Sequence, residues 1–184
     1  NGVQDEDTMK RALVSARLAN VTLAQHCEVA SMTNGAVMHD GACCSSLGVP
    51  GWPSLAEEQM VQRDIALVRA TGAKMHFLHL STQGSVQLVR DAKAEGLPIT
   101  AEVTPHHLSL LDELLTSFDP IFKVNPPLRT AADIAALKAG VLDGTIDAVA
   151  TDHAPHAGHT KEQPLDQAPP GMLGLETALA VVNT

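Results

Sequence analysis

The chain has 184 residues, a formal net charge of −9 and a hydrophobic fraction of 45%, with no Tyr, one Trp and three Phe. A core must therefore be built from Ala, Val, Leu and Ile, which suits a sheet covered by helices. The acidic balance excludes a nucleic-acid partner, since no basic stripe is present to neutralise phosphates, and no run approaches the roughly 20 apolar residues of a membrane span.

In chain order, Asp5-Glu6-Asp7 ahead of Thr8-Met9-Lys10-Arg11-Ala12-Leu13-Val14 predicts an acidic first turn entering an amphipathic helix that ends near Asn20. Val21 to Gln25 is a short β-prone run that delivers His26-Cys27-Glu28 at its end. Residues 29–53 hold Gly, Pro, Ser and Met without a sustained period and read as a long irregular excursion containing a short helix. Ser54-Leu55-Ala56-Glu57 has the form of a capping box, and Val61, Ile65, Leu67 and Val68 supply a helical stripe until Gly72 ends it. Lys74 to Leu80 is the next strand, and Ser81-Thr82 opens a helix running to Gly96.

Leu97 to Val103 is another strand, tipped by Thr104-Pro105-His106-His107. Ile121 to Val124 reads as a further extended piece ending in Asn125-Pro126-Pro127-Leu128-Arg129. Thr130-Ala131-Ala132-Asp133 caps a helix carrying Ile134, Leu137 and Val141. Gly144 separates it from the apolar run at Asp147-Ala148-Val149-Ala150, which delivers Thr151-Asp152-His153-Ala154-Pro155-His156 into a segment that Pro155 stops from continuing as a strand. A polar loop from His159 to Pro170 precedes a last apolar helix opened by Gly171-Met172-Leu173-Gly174-Leu175-Glu176.

Alternating strands and helices at this spacing argue for parallel βα units, hence an α/β fold, either an open doubly wound sheet or a barrel. No Gly-rich dinucleotide fingerprint follows any strand, and polar residues at several strand tips favour the barrel. A complete (β/α)₈ TIM-type barrel takes about 250 residues, whereas about four βα units are counted here, so the chain is expected to be about half a barrel. The three cysteines, Cys27, Cys43 and Cys44, imply no disulfide framework and fit a reducing cytoplasm. The chain starts at Asn1 without a Met or a signal-like segment, which places the expected true start upstream.

His26, His79 and Asp152 each fall at the C-terminal end of a different predicted strand. Imidazole and carboxylate are ligands that suit Zn²⁺, and a catalytic zinc keeps a position open for water, so the three are candidates for part of a hydrolytic metal site. Glu28 is placed to orient His26 from behind. The other readings are structural: His76 packed or helix-facing, His39 and His159 solvated in loops, Cys27 a small buried thiol, Arg129 in a structural ion pair, and His106 and His107 fixing a loop.

The motifs His26-Cys27-Glu28, Leu78-His79-Leu80-Ser81-Thr82, Ala101-Glu102-Val103-Thr104-Pro105-His106-His107-Leu108, Asn125-Pro126-Pro127-Leu128-Arg129 and Ala150-Thr151-Asp152-His153-Ala154-Pro155-His156 resemble, in order, those of bacterial dihydroorotases of the amidohydrolase superfamily. The resemblance implies a cytoplasmic enzyme with a two-zinc (β/α)₈ barrel, of which residues 1–184 would be one partial domain carrying strands 5 to 8, with the N-terminal barrel half absent. It implies His26 and His79 on one zinc, and Asp152 on the other as general base and then acid. Asn125, His156, Pro170 and Gly171 would hold the substrate. The implied reaction is the interconversion of L-dihydroorotate and N-carbamoyl-L-aspartate in pyrimidine synthesis, with a homodimer or aspartate transcarbamoylase as the implied partners. The family's His-x-His pair is not in this sequence, and the bridging Lys or Asp falls by spacing before Asn1, so the site is expected to be incomplete and this chain inactive alone. A hydantoinase- or allantoinase-like amidohydrolase, or a catalytically dead structural partner, are the alternatives.

Overall fold

Four short parallel strands carry the candidate residues at their ends. The structure is a computed structural model that describes residues 2–183. In order it runs α1 (Glu6–Leu18), β1 (Thr22–Gln25), α2 (Ala30–Thr33), β2 (Met38–His39), α3 (Ala42–Leu47), β3 (Gly51–Trp52), α4 (Leu55–Thr71), β4 (Lys74–Phe77), α5 (Gln83–Ala94), β5 (Ile99–Val103) and α6 (Pro105–Ser109). Two 3₁₀ turns follow, Asp112–Ser117 and Pro120–Phe122, and then α7 (Ala131–Leu142), β6 (Ala148–Val149), α8 (Gly158–Lys161) and α9 (Ala178–Val182).

The main sheet has the order β1-β4-β5-β6, all parallel, so strands adjacent in the main chain path are adjacent in space. A doubly wound sheet reverses its order at a switch point. An uninterrupted order is that of an arc of barrel wall, and the α/β partial barrel expected from the sequence is what the chain forms.

Alternation along the strands divides the sheet into two chemically different faces. Met75 and Phe77 on β4 and Ile99, Ala101 and Val103 on β5 are buried against Val61, Val68, Val86 and Val89 of α4 and α5. The opposite face carries His76, Thr100 and Glu102, bonded together through His76 Nδ1 to Thr100 Oγ1 at 2.7 Å and His76 Nε2 to Glu102 Oε2 at 3.0 Å. His76 is therefore on the helix-free face, not the helix-facing side. Strand parity from His79 misleads because the chain has already left the strand at Phe77.

Several local expectations shift. The capping box at Ser54 does not form: Ser54 already has helical dihedrals and makes no side-chain cap, and Glu57 instead accepts from the backbone and hydroxyls of Ser81 and Thr82. The box at Thr130 and Asp133 does form. The stretch around Ile121 turns as 3₁₀ after Pro120 rather than extending. The excursion at 29–53 is ordered by two short helices and the parallel pair β2 and β3. That pairing buries His39 to 8% exposure, so it is not a solvated loop residue. His159 is exposed as expected.

Arg129, 1% exposed, ties this small sheet to the main one. Its Nε donates to Ser81 Oγ at 3.1 Å, and its Nη1 donates to Trp52 O at 2.8 Å and His39 Nδ1 at 3.1 Å. The role is structural, as expected, but it works through neutral acceptors, with Glu57 one hydrogen bond behind at Ser81. The loop after β6 is held by two ammonium groups on carbonyl oxygens. Lys123 Nζ donates to Leu165 O at 2.6 Å, and Lys161 Nζ to Pro120 O, Lys123 O and Pro169 O at 2.9, 3.2 and 3.0 Å.

Candidate active site

Parallel strands present all their C-terminal ends on one edge, so the tips of β1, β4, β5 and β6 gather His26, His79, His106 and Asp152 there. Just beyond β4 and β6 the backbone enters the left-handed region at His79 (φ 33°) and Asp152 (φ 44°). For residues with a Cβ that conformation costs about 1–2 kcal/mol, which marks these two positions as held by their surroundings.

His26 Nδ1 and His79 Nε2 face each other at 3.1 Å. His26 Nε2 lies 2.9 Å from Glu28 Oε2. A carboxylate accepts only, so this contact fixes the proton on Nε2 and leaves Nδ1 as a bare lone pair directed at His79. Glu28 also accepts from Asn125 Nδ2 at 3.2 Å through the same Oε2, and from the Thr33 hydroxyl through Oε1. Burial alone would raise the Glu28 carboxyl, but its bonds to His26, Thr33 and Asn125 outweigh burial and bring it to about 2. His79 is buried, and its pKa is lowered by that burial and by His26 opposite, with Asp152 pulling the other way. Its Nδ1 is buried without a partner.

These features fit a metal ion held by the two imidazoles. Tetrahedral zinc with 2.0–2.1 Å bonds to nitrogen places its ligand atoms about 3.3 Å apart, close to the observed separation. The carboxylate behind His26 is the usual support of a metal-binding histidine. Among the described residues no three His, Cys, Asp or Glu side chains converge as a metal group. His26 and His79 therefore supply two positions of a coordination shell, and Asp152 does not complete a three-residue group with them.

Asn125 enters the site on a cis peptide to Pro126, with its Oδ1 buried and unbonded. His156, Pro170 and Gly171 are brought together, as expected: His156 Nε2 donates to Pro170 O at 2.9 Å, and Gly171 N donates to Lys123 O at 2.9 Å. A Cβ on Gly171 (φ 150°) would meet His156 Nε2 at 2.6 Å and Ala154 O at 2.8 Å, so only glycine allows this approach. Cys27 is a buried thiol beneath the tip, as expected, and burial raises its pKa.

Two features escaped sequence reasoning. The link from Glu28 to Asn125 spans 97 residues and leaves no local signal. His106 and His107 are not loop residues but the first turn of α6, capped by Thr104. His107 is fully engaged, accepting from Thr104 Oγ1 at Nδ1 (2.7 Å) and donating from Nε2 to Pro126 O (3.0 Å). The Thr-Pro pair at the strand end, an N-cap followed by N1 proline, was the signal that could have found this turn.

Comparison with known proteins places this arrangement. A family model described as dihydro-orotase-like matches residues 1–85. The dihydroorotase of Streptomyces coelicolor is 51% identical over 181 residues, covering 98% of this chain and 42% of the relative. That of Mycobacterium tuberculosis is 52% identical over 180 residues, again 98% of this chain and 42% of the relative. Among solved structures, an L-hydantoinase (dihydropyrimidinase) from Arthrobacter aurescens superposes with TM-score 0.84 at 24% identity, over 98% of this chain and 41% of its own. A dihydropyrimidinase from Brevibacillus agri NCHU1002 gives 0.83 at 20% identity, over 97% and 41%. The chain thus spans about two-fifths of the length of these relatives, and over essentially all of its own length it belongs to the dihydroorotase family.

Proposed function

We propose that the protein is a zinc-dependent cyclic amide hydrolase that interconverts L-dihydroorotate and N-carbamoyl-L-aspartate in pyrimidine synthesis, with these 184 residues providing strands 5 to 8 of its barrel. The observation that carries the reading is the 3.1 Å convergence of His26 and His79 at adjacent strand tips, with Glu28 fixing the His26 tautomer. Asp152, Asn125 and the His156–Gly171 turn stand on the same edge.

In this reading His26 and His79 would hold a zinc ion, which would supply Lewis acidity toward the ring carbonyl and lower the pKa of water. Asp152 takes a proton from the attacking water. As the ring C–N bond breaks, Asp152 returns that proton to the departing nitrogen, and the reverse sequence closes the ring. Asn125 offers its bare Oδ1 to a substrate N–H, and His156, exposed beside Gly171, lines the place a substrate carboxylate would occupy.

Asp152→Asn tests the reading in the natural protein carrying this segment, because asparagine tolerates the left-handed backbone that aspartate occupies. Turnover of L-dihydroorotate is expected to fall by about 10²–10⁴-fold, the usual share of acid–base catalysis, with the thermal transition unchanged. Retained turnover overturns it. Assaying ring substrates with and without a carboxylate separates this activity from that of hydantoinases.

A further inference from the structure

One buried titratable group at the site is left without work by the reading above. His106 lies at the tip of β5, the strand between β4, which carries His79, and β6, which carries Asp152. Its residue is 5% exposed, yet neither Nδ1 nor Nε2 has a hydrogen-bond partner. The next residue, His107, has both ring nitrogens satisfied, so the packing of this turn readily accommodates a fully bonded imidazole. Two unmet polar atoms on one buried ring carry a desolvation penalty that a structural side chain of the same size, such as leucine, would avoid. His106 feels the charges of both Asp152 and His79, in keeping with its place at the end of the strand between theirs.

We propose that His106 is a direct ligand contact, a neutral imidazole whose ring nitrogens donate to and accept from the amide or ureide group of a cyclic substrate lying between His79 and Asp152. The inference rests on the cyclic amide hydrolase reading. A neutral imidazole carries one donor and one acceptor, and an amide or ureide presents a carbonyl and an N–H at adjacent positions, so the two are complementary. A cation there would repel a metal ion at His26 and His79; burial keeps this ring uncharged at neutral pH, with its pKa at about 4. His106 would bind and orient the scissile group without exchanging a proton with it.

The test uses the natural protein that carries these residues, with L-dihydroorotate and N-carbamoyl-L-aspartate as probes. His106→Leu is expected to keep its zinc content and to melt no lower than the parent, because the unmet polar atoms are gone, while kcat/KM falls at least tenfold. His106→Gln, which retains a donor and an acceptor, should recover part of the loss. A folded His106→Leu with kcat/KM within twofold of the parent overturns the proposal, and so does one that loses its zinc. Should His106→Leu not fold, the parent's ¹⁵N histidine ring signals decide. The His106 signal, identified by its absence in His106→Gln, must move on saturation with N-carbamoyl-L-aspartate, and an unmoved signal overturns the assignment. A parent that opens no cyclic amide instead sinks the functional reading, and this inference with it.

Discussion

Glu28 holds His26 and Asn125 with the same carboxylate oxygen, at 2.9 and 3.2 Å, although the first follows β1 and the second lies almost a hundred residues later. One side chain thus fixes both the lone pair facing His79 and the amide whose Oδ1 is left open. Glu28→Gln is expected to weaken zinc binding 10–100-fold, as loss of a carboxylate behind a metal-binding histidine typically does. Competition titration against a chromophoric chelator reads this. A double-mutant cycle with Asn125→Ala should show non-additivity in KM of at least about 0.5 kcal/mol; strictly additive effects would separate the two roles.

The facing imidazoles give a sharper expectation. His79→Ala should remove one of two metal positions and lower zinc affinity by two orders of magnitude or more. Equal zinc affinity in parent and variant would show that the pair is only a hydrogen bond.

Arg129 should behave as a structural residue. Arg129→Ala leaves Trp52 O, Ser81 Oγ and His39 Nδ1 without their donor and a buried space behind them. A loss of about 3–5 kcal/mol in urea unfolding is expected, from three buried acceptors left unmet and the space the side chain vacates. A loss under 1 kcal/mol would show that β2 and β3 are held by something else.

Acid should destabilise the fold through the β5 tip. His106 has its folded pKa depressed to about 4 from 6.5, and His107 is depressed well below it, both chiefly by burial. The unfolded chain therefore binds more protons below 6.5, so these rings contribute stability that is fully present above about pH 6.5 and declines as pH falls toward 4. His106→Leu should flatten that decline between pH 6.5 and 4 by on the order of 3 kcal/mol, the value of a shift of that size. An unchanged slope in pH-dependent unfolding counts against a buried neutral ring.

At the turn beside His156, Gly171→Ala inserts a methyl group where His156 Nε2 and Ala154 O already stand. KM for N-carbamoyl-L-aspartate is expected to rise by roughly tenfold or more. The melting temperature falls with it, because the methyl group also meets the Ala154 carbonyl and sits at a φ of 150° that side chains rarely adopt. An unaltered KM would remove His156 from the substrate site.

The arc of four strands and the ends that carry His26, His79 and Asp152 were legible because parallel strands reduce to short apolar runs with polar tips, a local pattern. What was not legible depended on partners distant in the chain. His39 becomes buried only because β2 meets β3, Glu57 serves Ser81 and Thr82 rather than its own helix, and Ser54 looks like a cap to any reading confined to four residues. His76 was misassigned because strand parity was carried past Phe77, where the strand ends. The two bare nitrogens of His106 could not be foreseen, since an unmet hydrogen bond is a property of surroundings and not of sequence.

The lysine clamp on the loop after β6 has a consequence for ionic strength. Arg69–Glu95 and Arg90–Asp143 are exposed ion pairs, and added salt screens such pairs. Lys123 and Lys161 instead spend their ammonium groups on carbonyl oxygens, as short-range bonds to neutral dipoles in a half-buried setting. Rising salt therefore weakens the exposed pairs between the outer helices more than the bonds that dock the loop beneath His156 and Gly171, so the loop's anchoring is the less salt-sensitive of the two.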